Sequence, residues 1–526
     1  MNLHFHRHAE ATTAELFYDL FFVANLTTFT SLLDINDLMS LTSYIGFFSL
    51  LWLTWYQVSL YDVRFSADSI FERCAKCIHF GTMVGFAVMA PQWKPGYAES
   101  DYTVYRGFSL ILMVSRLTLV AQYGITLWFT KSYTKTRLPL MLVMASSLVA
   151  ASIYGCLTMV FPTYQLLVPE TIKGYIAWYV VGICETLITV AVSCIFRSIS
   201  FKGTHMVQRM SLLTLIILGE GIIVICKSIS KIVENDYLWT APVVGQIISA
   251  ILCIYFLYML YFDRLQEEHF GTIRQQIWTF LHFPLHAVFV LVLQGVANFI
   301  IWRQAIQSLN FYSEALSVLL SQPYNTGKDL ATALNETAWS YVFDYVPKDI
   351  DASKDIKAAD IGLKAVALYY ANSQSGNETA VVEFATGLQD FVFASGKTIM
   401  TSLSIKTPDQ KDQGKNTDPA AQFDGFMDVF ELVFTYVFVT GGLALILTSV
   451  LSMLSFTPEQ RRALQYFRQG LNFLLGLGLC LLSTMKYTDA SGKYASSPWM
   501  IPTLCIVFFI CLVVNHVRIG EKDKAH

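Results

Sequence analysis

Glu15 and Asp19 stand four residues apart in an otherwise apolar stretch, Glu15-Leu-Phe-Tyr-Asp19-Leu-Phe-Phe-Val. On a helix that spacing puts both carboxylates on one face. The carboxylate-free run that follows, Leu20 to Leu33, has only fourteen residues, short of the roughly 20 that a membrane span needs. The helix therefore starts near Glu15, and both acids enter the bilayer edge. Two like charges one turn apart in low dielectric must be neutralised by a proton or a partner cation. This is the chemistry of ion handling inside a membrane. No nucleophile–base constellation or phosphate loop accompanies it, so no enzyme is expected.

Other polar groups lie deeper. Arg116 is central in Leu112-Met-Val-Ser-Arg116-Leu, and Glu185 in Gly182-Ile-Cys-Glu185-Thr-Leu. A charge there costs at least about 2.5–3.5 kcal/mol, so each asks for a partner. They are expected to pair with each other, as a structural ion pair or as part of a gate or binding element. Glu220 lies between Gly219 and Gly221; flanking glycines weaken a helix and admit close backbone approach, as in interrupted transporter spans. In His282-Phe-Pro284-Leu-His286 the imidazoles share a face. They suit hydrogen bonding in a bundle or a proton relay, but a metal needs further ligands. No metal site or cofactor is expected.

The elements that must carry these groups are membrane helices. The chain has 526 residues, 54% hydrophobic and 14% charged, against roughly 25% charged for soluble domains. That deficit indicates an all-α, polytopic membrane protein. Apolar runs fall near 15–33, 38–61, 74–90, 105–129, 138–161, 172–196, 212–226, 239–262, 277–301, 426–454, 471–485 and 499–514, about twelve spans. The net charge of −3 and the lack of a basic block give no sign of nucleic acid. No cleavable signal is apparent at the N-terminus. Alternate connectors are rich in Lys and Arg, counting Arg64, Arg197, Lys202, Arg209, Arg468 and Arg518, which places both termini in the cytosol. The expected divisions are a tail over 1–14, a first half over 15–200, three helices over 201–302, an external insert over 303–422, three helices over 423–516 and a tail over 517–526. The insert is polar, has helical apolar spacing at 361–371 and 380–393, and contains sequons at Asn335 and Asn377. Residues 406–421 read as a flexible linker.

The halves resemble each other. Asp62 ends the second span and Arg73 follows eleven residues later; Asp263 ends the eighth and Arg274 follows at the same interval. Each arginine opens a helix with a histidine, His79 or His282. Six spans per half would give parallel repeats about an axis along the membrane normal. The expectation that follows is specific: Glu15, Asp19, Glu220 and Asp263, with Arg73, Arg274 and His282, meet in a shared wet interior.

These motifs together resemble the low temperature requirement A family. The carriers are the opening Glu15–Asp19 acid–aromatic stretch, Leu218-Gly-Glu220, Tyr261-Phe-Asp263 and His282-Phe-Pro284-Leu. The resemblance covers roughly residues 12–302 and the last three spans. It implies a multi-pass membrane protein, and the long insert suggests a fungal-type member. Its molecular activity is poorly defined. The favoured reading is secondary transport of an unidentified small solute, with a proton as candidate coupling ion. The alternatives are an ion channel and a non-transporting sensor or assembly protein. Expected partners are lipids, an unidentified small solute or ion and a second copy of the chain, in the plasma membrane or another secretory-pathway membrane.

Overall fold

The computed structural model describes residues 11–95, 102–161, 173–196, 199, 204–233, 240–265, 271–347, 350–375, 377–406, 419–488, 494 and 497–517. Among them are fifteen α-helices and no strand. Twelve occupy the apolar runs: α1 (Thr13–Leu32), α2 (Leu38–Phe65), α3 (Ile70–Met89), α4 (Tyr102–Phe129), α5 (Thr134–Val160), α6 (Ile176–Ile195), α7 (Met206–Val233), α8 (Ala241–Phe262), α9 (Thr272–Leu320), α13 (Pro419–Ser455), α14 (Ala463–Leu482) and α15 (Met500–His516). Between α9 and α13 lie α10 (Gly327–Tyr341), α11 (Ser353–Gln374) and α12 (Glu378–Ser402). Ten helices are long and apolar enough to cross a membrane; α1 is not among them, and α15 has 17 residues. The chain is a multi-pass membrane protein.

Local sequence sets the helix starts. Thr12 and Glu15 form a capping box on α1, the Glu15 carboxylate accepting from the Thr12 amide at 2.7 Å. Asp37 and Ser40 do the same for α2, and Ser69 caps α3. Each cap satisfies amides that have no partner within the helix.

Packing repeats through the chain. In α1–α6, the first helix packs on the second and third, the second on the sixth, the third on the fourth, the fourth on the fifth and the fifth on the sixth. The same pairs recur in α7, α8, α9, α13, α14 and α15. The halves meet where α1 lies on α7, and α2 and α6 lie on α9. One contact in the second half needs glycine. A Cβ on Gly442 of α13 would sit 2.3 Å from the Gly476 carbonyl oxygen of α14, and one on Gly476 2.7 Å from that of Gly442. Close backbone approach of this kind is how membrane helices pack. The Gly81–Gly85 pair is different, since Gly81 faces open space.

The insert starts on a rigid element. α9 runs unbroken through Trp302 for 49 residues, about 74 Å at 1.5 Å per residue. That is more than twice a bilayer core of about 30 Å. Its distal turns give Tyr312 and Leu316 to a separate small core with Leu330, Leu334, Val366 and Phe391 of α10–α12. The linker expected over 406–421 falls largely outside the described residues, as do Arg197, Lys202 and Arg518.

Three arginines counted as connector charges prove to be interior. Arg209 is fully buried inside α7, and Arg64 and Arg468 are buried too. Arg64 donates to the Leu60 carbonyl at 2.6 Å and to Ser193 Oγ at 2.8 Å, and Arg468 donates to the Val517 carbonyl. Helices that begin or end beyond their apolar run carry these charges inward, where protein oxygens replace water.

Candidate functional site

The two acids of α1 find their cation on α7. Arg209 Nη2 donates to Asp19 Oδ1 at 2.8 Å, and Nη1 lies 3.3 Å from Glu15 Oε1. His205, one residue before α7, places Nε2 3.2 Å from both Glu15 oxygens. Trp55 of α2 donates its indole N–H to Asp19 Oδ1 at 2.7 Å, and Arg209 also donates to Ser59 Oγ at 3.1 Å. Asp62, buried at the end of α2, stands in the field of Arg209, Glu15 and Lys76. This cluster is dry: Glu15 is 1% exposed, and Asp19 and Arg209 are 0% exposed. A buried pair of this geometry is strongly destabilised when one member is removed. Sequence reasoning missed His205 and Arg209; the available signal was the demand of two acids for a cation.

Arg116 and Glu185 pair as expected. Arg116 Nε donates to Glu185 Oε2 at 2.6 Å, joining α4 to α6, and Ser147 of α5 donates to Glu185 Oε1 at 2.9 Å. Near the α2–α3 junction a second unanticipated cluster links Glu72 to Tyr61 (2.6 Å) and Gln122 (2.8 Å), and Gln122 to His79 (2.9 Å).

The histidines of α9 are both fully buried and both engaged. Trp52 Nε1 lies 3.1 Å from His286 Nδ1. An indole N–H only donates, so Nδ1 accepts and the ring proton sits on Nε2. That nitrogen is 2.8 Å from Thr214 Oγ1, whose hydroxyl donates to the Met210 carbonyl. His282 has the opposite tautomer. Its Nδ1 donates to the Trp278 carbonyl at 2.8 Å, and its Nε2 accepts from the Tyr261 hydroxyl at 2.8 Å. These rings act as hydrogen-bonded struts between α2, α7, α8 and α9.

Glu220 stands apart. It is 3% exposed and accepts from Thr27 of α1 through Oε2, while Oε1 has no hydrogen-bond partner. It borders a void of about 10 Å³ with Thr30, Gly221 and Gln294. Gln294 Oε1 is also without a partner. Thr30, Val224 and Gln294 are shared with a cavity of about 290 Å³ at the insert end, lined also by Lys227, Lys231, Asn298, Trp302, Lys406 and Phe430. A Cβ on Gly221 would fall 2.2 Å from Leu293 Cδ1, so that glycine lets α9 close on α7 beside the acid.

The expected common centre is therefore divided. Along α7, Arg209 and Glu220 are eleven residues apart, about 16 Å by helical rise. Asp263 is not with them: it pairs with His516 of α15 at 3.3 Å and is partly exposed. Arg73 is exposed and pairs with Asp68 at 3.0 Å, holding that carboxyl below its usual range. Arg274 is exposed at the start of α9. The reason is positional: both arginines lie in the first turn of their helices, on the side away from the bundle.

A family model described as bacterial low temperature requirement A protein matches residues 10–319. No curated protein and no solved structure matches the chain. The matched range covers α1 to the distal turns of α9 and so contains the Glu15–Asp19–Arg209 cluster, both histidines and Glu220; α10–α15 lie beyond it. By that match the chain belongs to the low temperature requirement A family of membrane proteins.

Proposed function

We propose that this protein is a proton-coupled secondary transporter of a small solute, not an enzyme. Glu220 is its coupling carboxylate. The observation that carries the reading is the cavity at the insert end, which shares Thr30, Val224 and Gln294 with the void bordered by Glu220, a buried acid with one unpartnered oxygen. Ionisable groups buried in membrane helices beside a cavity mark proton and substrate pathways. The opposite end of the same seam is closed by the Glu15–Asp19–Arg209–His205 cluster, with the Thr214–His286–Trp52 bonds between. A cavity reaching one side and a charged plug on the other is what an alternating-access carrier needs in one of its two states. A channel would need a continuous path, and the void below the cavity narrows to about one water's volume.

Reconstitution tests this. Purified protein in liposomes with an internal pH dye is offered solutes of several classes. The expected result is solute-dependent proton flux that Glu220→Gln abolishes. Flux that survives Glu220→Gln removes Glu220 from the mechanism, and single-channel currents would replace the carrier with a channel.

A further inference from the structure

We propose that the insert carries a pocket for a single-chain lipophilic amine, an apolar tail ending in an ammonium group, taken up from the adjoining bilayer leaflet. This goes beyond the transport reading and does not depend on it.

The pocket has a volume of about 710 Å³ and lies between α9, α11 and α12, with the start of α13 beside them. That volume is within the range of about 300–1,000 Å³ that holds one small ligand. Its walls are mainly apolar, with Leu309 and Leu316 from α9, Ile361 from α11, Val392 from α12 and Phe426 from α13. Ile361 is 66% exposed, and a hydrocarbon tail laid on it would take that surface out of water. The level of the pocket follows from two helices. Ile306, on its wall, is four residues past Trp302, where the apolar run of α9 ends. That is about 6 Å by helical rise. Phe426 opens the apolar run of α13. Headgroups occupy roughly 5–7 Å beyond the hydrocarbon core on each side. The foot of the pocket therefore stands at headgroup level, within reach of an amphiphile leaving the leaflet.

The polar groups set the sign of the head. The charged residues on the lining are Asp355, Asp390 and Lys397. Lys397 pairs with Asp355 at 3.0 Å, so those two charges cancel. Asp390 of α12 is partly buried, and no ion pair or hydrogen bond among the described residues engages its carboxylate. One net negative charge beside apolar walls favours a cationic head and repels an anionic one. Asn310 of α9 adds an amide oxygen to the lining, an acceptor for an ammonium N–H. A tail on the apolar walls and an ammonium at Asp390 use both parts of the pocket at once.

The test uses the full chain in phosphatidylcholine nanodiscs and a dodecylamine with a photoactivatable diazirine on its tail. The work is done at about pH 7, where an alkylamine is charged as lysine is. Labelled peptides are mapped by mass spectrometry, and only labelling that excess dodecylamine displaces is counted. Saturable labelling of residues 306–316 and 390–397 is expected. Asp390→Asn should weaken it about threefold or more. Gly396→Leu should abolish it with the thermal midpoint retained. A Cβ on Gly396, which lines the pocket, meets only Leu309 Cδ2, at 3.6 Å, so a longer side chain there fills the space without displacing backbone. Asp390→Asn, at a partly exposed position, decides the matter even if Gly396→Leu folds poorly. Dodecanoate and dodecanol should compete poorly. Hexylamine, with half the chain, should compete at least about a hundredfold less well than dodecylamine. Absence of displaceable labelling at these segments overturns the site, and so does labelling indifferent to Asp390→Asn. Equal competition by dodecanoate or dodecanol overturns the cationic head. Equal competition by hexylamine overturns the bilayer-derived tail, leaving a charge contact open to amines from water.

Discussion

Removing Arg116 alone and removing it together with Glu185 should have opposite consequences. Both side chains are 1% exposed and joined at 2.6 Å. Arg116→Leu strands a carboxylate in the bundle, at about 3–5 kcal/mol, and should lower the detergent thermal midpoint or prevent accumulation. Arg116→Leu with Glu185→Leu leaves no unpaired charge and should recover most of the loss, with flux retained because neither residue borders the cavity. A single variant as stable as wild type would show that Glu185 has another partner. This pair was legible in the sequence, since each member is an isolated charge inside an apolar run. Arg209 was not, because it lies before the apolar run of its helix and reads as a connector charge. Only the fold shows that α7 begins at Met206 and that His205 and Arg209 lie opposite Glu15 and Asp19. Asp263, Arg73 and Arg274 failed in the other direction. Their spacing matched across the halves, but spacing along a chain does not say which way a helix end faces.

Helices and their contacts were the more readable level, because apolar length alone commits a segment to cross a bilayer. What apolar length conceals is where a helix stops. α9 continues past its apolar run because nothing at Trp302 breaks it, and its distal turns become one wall of the insert's core. Contacts between helices were less legible than the helices themselves, as two glycines show. Gly442 and Gly81 both sit in apolar helices near other glycines, yet a Cβ on Gly442 meets the Gly476 carbonyl while one on Gly81 meets nothing within 4 Å. Gly442→Ala must therefore push α13 off α14, at about 1–3 kcal/mol. Gly81→Ala should be neutral or stabilising by up to about 1 kcal/mol through helix propensity. Thermal midpoints of the two variants, measured side by side, check this; equal shifts would mean that the α13–α14 contact is looser than described.

At the scale of the whole molecule, two similarly connected halves place one cavity at the end that carries the insert. Leu403, Ser404, Ile405 and Lys406, which follow α12, form part of its wall. The side of the membrane on which the insert lies therefore decides which compartment the cavity opens to, and so, on the transport reading proposed above, the direction of the half-cycle. The sequon at Asn377 offers a way to read that side. Asn377 is exposed and caps α12, its Oδ1 accepting from the Thr379 and Ala380 amides. A glycan attaches through Nδ2, so cap and modification are compatible at one residue, and they can be separated. Thr379→Ala destroys the sequon and keeps the cap. Asn377→Gln destroys both, and loss of an N-cap costs about 1 kcal/mol. If the insert is external, wild type from a glycosylating host should show a glycosidase-sensitive mass that both variants lose. Only Asn377→Gln should also lower the stability of the insert. A wild-type chain with no glycosidase-sensitive mass at Asn377, in a host that modifies a sequon engineered at the N-terminal tail, would put the insert in the cytosol. The cavity would then open to the inside of the cell.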